Sequence, residues 1–235
     1  MDDSFEALLL AEDDSTIKFT KTAVPHKAPE GKPAGALPKH AEKQLIVGWS
    51  KKSGIVVDEY SNYLVKGSGI DVVVPEVTAE MKADFNAVQK KHPGIKLRMM
   101  QGDIHAPGII AKMKPEQYDN VLILKGDGGE AELRDSETIA TLLEFRHYFR
   151  NLSKQVKTQL ISEVADSDNV EVIQKVGVKD FLISNKFVSK IYAQVSEDPD
   201  VMKAYDELFK EEGSEIYLKP VRLFMSKIPS SITFG

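Results

Sequence analysis

Residues 43–54, KQLIVGWSKKSG, pass from one kind of side-chain order to another within a single turn. An apolar run, Leu45 to Val47, ends at Gly48, and a helix-like segment starts near Ser53. Beyond Gly48 by 28 residues, a second apolar run, DVVVPE, ends in an acid, Glu76. A strand that breaks at a glycine into a helix, followed by a strand ending in an acid, outlines the first half of a dinucleotide-binding fold. The outline comes without the residues of catalysis, so the chain reads as built to sense a small ligand rather than to transform it.

From residue 43 onward two periods alternate. Strand-like runs occur at 44–48, 70–74, 95–100, 119–124, 157–163 and 178–183, apolar and rich in Val, Ile and Leu as doubly covered parallel strands are. Helix-like segments fall between them at 54–65, 77–91, 106–113, 135–150 and 168–176. Pro93-Gly94 closes the second helix, and Asp135-Ser136 is placed to cap the fourth, whose Ile139, Leu142, Leu143 and Phe145 share a face. This repetition predicts an α/β fold, a Rossmann-like doubly wound parallel sheet of about six strands over 42–183. A helix-turn-helix dimerisation element (184–212) and a short β segment, the start of an incomplete C-terminal lobe (213–235), are expected to follow. In the first helix of that element Phe187, Ile191 and Val195 form one apolar row and Val188 and Tyr192 another. One row can cover the sheet; the other asks for a second subunit or for the following helix, with its Tyr205 and Leu208, to fold back over it.

The sheet unit is preceded by a linker, 23–41, with four prolines and two glycines between residues 23 and 40. Ahead of it, residues 1–22 read as a strand and tail. That is either a frayed terminus or the end of a preceding domain in a longer protein.

Composition removes several function classes. The net charge is −5 with no clustered basic stripe, which argues against a nucleic-acid partner. There is no cysteine, hence no disulfide scaffold, thiolate metal site or cysteine nucleophile. No apolar run approaches the ~20 residues of a membrane span, and the acidic start MDDSFEALLLAEDDST is no secretory signal. The five histidines, His26, His40, His92, His105 and His147, lack metal-ligand spacing, and neither GxSxG nor a phosphate-binding P-loop occurs.

The candidate ligand site is the crevice at the carboxyl ends of the strands. Gly48 can make the tight turn, but Ser50 and Ser53 stand where a full GxGxxG has glycines, with Gly54 one step late. Backbone amides at the helix start can still hold an anion. Glu76 sits where a ribose hydroxyl would be read, or is a solvated strand-end acid. Asp103, after the third strand, points to the same crevice or caps the turn two residues before His105. Trp49 is core or a lid on the mouth. Five acids between residues 127 and 137 (Asp127, Glu130, Glu132, Asp135, Glu137) suit a hard cation, or make a solvated helix start. Asp166-Ser-Asp168-Asn169 opens like a calcium loop but has Glu171 where the loop needs glycine and Gly177 where it needs glutamate. Calcium or a nucleotide such as NAD are the ligand candidates.

In order, LIVGWS (45–50), LILKGDG (122–128), DSETIATLLEFRH (135–147), LISEVADSDN (160–169), DFLISNKFVSKIYAQVSEDPDV (180–201) and DELFKEEGSEIYLKP (206–220) resemble the RCK domains, regulators of potassium conductance, of the CASTOR/POLLUX family of cation channels. The likeness runs from about Leu8 to Pro220. It is to the second of two tandem RCK domains, with LLLAEDDST (8–16) similar to the end of the first. The resemblance implies a cytosolic gating-ring domain on the cytoplasmic face of a membrane channel, for potassium or calcium-linked. It also implies self-association through the two helices after the sheet, and as partners the neighbouring RCK domain and the pore. Two rivals fit less well. A soluble nucleotide-binding subunit of a potassium uptake system would keep the full glycine fingerprint. An NAD-dependent oxidoreductase needs a substrate domain and an acid-base residue.

Overall fold

The computed structural model describes residues 39–124, 126, 131–164 and 181–210. The side chains of 131, 132 and 181 lie outside that description. Six strands are present: β1 Lys43–Val47, β2 Gly69–Val74, β3 Lys96–Gln101, β4 Asn120–Ile123, β5 Gln159–Val164 and β6 Phe181–Ile183. They form one sheet in the order β3-β2-β1-β4-β5-β6, every pair parallel. This is the expected doubly wound α/β sheet, with its reversal of direction between β1 and β4.

Alternation along each strand feeds two cores. On one face Leu45, Val47, Val73, Val121 and Ile123 meet Leu142 and Phe145 of helix α4 (Ala131–Arg150). On the other, Ile46, Ile70, Val72 and Val74 meet Val57 of α1 (Ser53–Tyr63) and Phe85 and Val88 of α2 (Ala79–Lys91). β1 is buried at every position but its first, because both of its faces are covered.

The sequence sets both ends of α2. Thr78 caps α2, its Oγ1 accepting from the Met81 N–H at 3.2 Å, with Glu80 in the first turn and Lys90 and Lys91 in the last. Two helix starts differ from expectation by about a turn. α3 runs only Ile109–Met113, not 106–113, because Pro107 has no N–H to give and Gly108 sits at φ 76. Lys114, at φ 53, ends it, and a 3₁₀ turn, Pro115–Gln117, follows. α4 starts at Ala131, a turn earlier than expected. Ala-Glu-Leu-Arg are strong helix formers, and the Gly128-Gly129 break lies before them. Asp135 is therefore an interior residue, 2% exposed, rather than a cap.

The described residues divide into two units, 39–198 and 199–210. α5 (Ser184–Glu197) belongs to the first and α6 (Val201–Phe209) to the second. The expected helix at 168–176, the short β segment of 213–235, the strand and tail at 1–22 and the linker up to residue 38 lie outside the described residues.

α1 and α2 are tied by Asp58, whose carboxylate accepts from Lys91 at 2.6 Å and contacts His92 Nε2 at 2.8 Å. The Lys91 hydrogen bond, aided by His92 and opposed by burial, holds the Asp58 carboxyl below its ordinary value. A depressed carboxylate stabilises the fold at pH above its unfolded value, and the contribution fades as pH falls through the folded one. Asp58→Asn should therefore cost about 1 kcal/mol or less at neutral pH. In urea melts the gap from the parent should close toward pH 3.

Candidate functional site

The carboxyl ends of the central strands lie around the point where the strand order reverses, and the sheet's hydrogen bonding continues one residue past β1, β3 and β4. Gly48 N–H donates to Val73 O, Leu124 N–H to Val47 O and Gly102 N–H to Val74 O, each at 2.8 Å. Gly48 carries φ 93, and a Cβ there would lie 1.9 Å from the Leu124 carbonyl oxygen. Only glycine meets both demands.

Above this edge is a crevice of about 360 Å³. Gly48, Trp49, Asp103, His105, Glu137 and Thr138 are among its lining residues. The volume is that of a small-molecule site, and open α/β sheets bind ligands at this reversal point. Among its described lining residues the carboxylates are Asp103 and Glu137, and none is a lysine or arginine. Thr138 and Thr141 present hydroxyls whose own hydrogens go to Arg134 O and Glu137 O, both at 2.9 Å, leaving lone pairs as acceptors. The described lining is thus mainly one of acceptors and apolar walls.

Of the expected site residues the crevice gathers Gly48, Trp49 and Asp103. Trp49 is half-buried and set edge-on to Phe85, ring centres 6.2 Å apart, so it is both part of the core and part of the mouth. One oxygen of Asp103 accepts from the His105 N–H at 3.0 Å and shapes the loop. Ser50 and Ser53 lie beneath, 3% and 0% exposed. The Ser50 N–H donates to Ser53 Oγ at 2.7 Å, and the Ser53 N–H donates to Ser50 O at 2.9 Å. Two amides that a pyrophosphate would use are thereby spent inside the turn. Gly54 faces α2, 3.6 Å from Asp84 at its would-be Cβ, and Glu76 is exposed beyond the crevice lining.

Among the described residues no three acidic or histidine side chains are placed to hold a metal ion. Asp127, Glu130 and the Glu132 side chain lie outside the description, as does the 166–177 loop. Sequence reasoning had not picked His105, Thr138 or Thr141 for the crevice. The helical spacing of Glu137, Thr138 and Thr141 was a usable signal, once α4 was known to cross the strand ends. A wider hollow of about 540 Å³ lies between α3 and α4, where Glu144 and His147 join His105.

No residue of α5 or α6 is buried. On α5 Phe187 and Val188 are each 45% exposed and Tyr192 69%, beside the partly covered Ile191 and Val195. On α6 Tyr205 stacks on Phe209 at 5.9 Å, and Leu208 is partly covered.

Gly48→Ala should cost about 3 kcal/mol, since it combines a left-handed backbone with forced separation of β1 from the Leu124 carbonyl. A denaturant midpoint within experimental scatter of the parent would show that the turn has slack.

No family model matches the chain. It is 26% identical to the ion channel POLLUX of Lotus japonicus, across 96% of its own length and 28% of that protein. It is 27% identical to the probable ion channel POLLUX of Oryza sativa subsp. japonica, across 94% and 26%. To the ion channel CASTOR of Lotus japonicus it is 26% identical, across 94% and 29%. The chain spans less than a third of the length of these relatives. Among solved structures, the human SLO3 gating ring aligns with a TM-score of 0.52 at 14% identity, covering 76% of this chain and 31% of that one. That likeness is one of fold. The chain is thus similar along nearly its whole length to ion channels of the CASTOR and POLLUX kind, and its six-stranded Rossmann-like sheet is a fold it shares with a gating ring.

Proposed function

We propose that this chain is a cytosolic regulatory domain in the gating ring of a cation channel, the second of two tandem RCK domains, and that it senses a ligand rather than catalyses. The observation that carries the reading is the sequence match to ion channels along nearly all of the chain. The crevice supports it: a ligand-sized hollow at the strand reversal. Among the described residues no helix is long and apolar enough to cross a membrane. On this reading conduction belongs to a pore elsewhere in the assembly.

The ligand is small and either cationic or neutral. Acceptor oxygens and two carboxylates favour a cation such as calcium, and the self-closed Ser50–Ser53 turn disfavours a dinucleotide. Such a ligand regulates only by preferring one ring geometry over another. With calcium chloride well above its Kd the melting temperature should rise by a few degrees. NAD should leave it unmoved, and Asp103→Asn should shrink the calcium shift. Flat scans with both ligands, or a NAD shift that survives Asp103→Asn, would remove the crevice as the sensor.

The apolar stripes of α5 and α6 are the self-association surface, with Phe187, Val188, Ile191, Tyr192 and Val195 on one helix and Tyr205 and Leu208 on the other. An interface built on exposed aromatic and aliphatic side chains loses most of its affinity when one central group is charged. Tyr192→Asp or Ile191→Asp should shift sedimentation toward the monomer. An unchanged profile in both would reject this surface.

A further inference from the structure

The other end of the sheet has the opposite chemistry. At the amino ends of β1, β2 and β3 a groove of about 450 Å³ opens on the face that α4 covers elsewhere. It exists because α3 has only five residues, too short to roof that half of the face. The register aligns Lys43, Gly69 and Lys96 in one cross-strand row, with Asp71 and Arg98 paired in the next row on the same face. With glycine between the two lysines, the floor separating their side chains stays open. Lys114 completes the rim from the turn after α3.

The charges in the groove do not cancel. Asp71 is the one carboxylate among its lining residues. Arg98 occupies both of its oxygens, Nε to Oδ1 at 2.9 Å and Nη2 to Oδ2 at 2.6 Å, and the Tyr118 hydroxyl donates to Oδ2 at 2.6 Å. Arg98 therefore neutralises Asp71, while Lys43, Lys96 and Lys114 form no ion pair among the described residues. Three lysines line a concave, ligand-sized space. Tyr118 and Gln117 add hydrogen-bonding groups beside them. Lys114 holds a left-handed backbone at φ 53, which a lysine adopts at a cost and asparagine tolerates better.

We infer that this groove binds a small polyanion carrying two or more phosphate groups, at the sheet end opposite the acidic crevice. The concavity favours a discrete molecule over a flat surface. The chemistry is common to soluble nucleotide polyphosphates and to phosphorylated inositol headgroups.

The test is calorimetric titration of the 235-residue chain at low salt with tripolyphosphate, then with metal-free ATP and with inositol trisphosphate. Tripolyphosphate should bind, and more weakly as salt is added. Lys96→Gln combined with Lys114→Asn should weaken it at least tenfold, while Asp103→Asn in the crevice leaves it unchanged. Tighter binding of ATP or of inositol trisphosphate identifies the source. No binding of tripolyphosphate, or equal binding by the parent and the double variant, overturns the site. The crevice and groove readings fail separately, since each has its own variant and probe.

Discussion

At Gly48 the backbone of β1 turns out of the sheet against the Leu124 carbonyl, with no room for a side chain. That contact lets β1 and β4 lie side by side while their helices leave toward opposite faces. The reversal it creates separates the strand ends enough to open a hollow, and it aims the start of α1 at that hollow. Lys52, at the same turn, pairs with Glu163 of β5 and fastens the turn to the far half of the sheet. Losing the glycine would disturb the strand pairing and the crevice together.

The sequence made the sheet legible because its inner strands are covered on both faces, and a doubly covered strand must be apolar at nearly every position. The residues 45–47 and 72–74 could be little else. α2 announced itself through Thr78, its charge gradient and Pro93-Gly94. α3 did not, because Pro107-Gly108 inside an otherwise helical pattern was read through rather than as a stop. α4 was started late because Asp135-Ser136 looked like a cap, although the helix formers ahead of it needed none.

The site was half legible. Gly48 and Asp103 follow from their places after strands. What Ser50 does could not be read, since a serine in a degenerate fingerprint is silent about whether its amide faces a ligand or its own neighbour. Geometry decides it: the hydrogen bonds to Ser53 satisfy the turn from within. The basic groove was also hidden. Lys43, Lys96 and Lys114 lie far apart in sequence, and a search for clustered basic residues passes over them. The parallel register and a short helix bring them together.

The two helices that follow the sheet carry one more consequence. α5 has 14 residues and α6 has nine, and neither buries a side chain. Helices shorter than ~12–15 residues draw most of their stability from what packs on them. Their order then depends on how many neighbours are present, so dilution should unwind this part of the chain while leaving the sheet intact. Whatever comes to cover their exposed faces therefore also sets how stiff this end of the chain is.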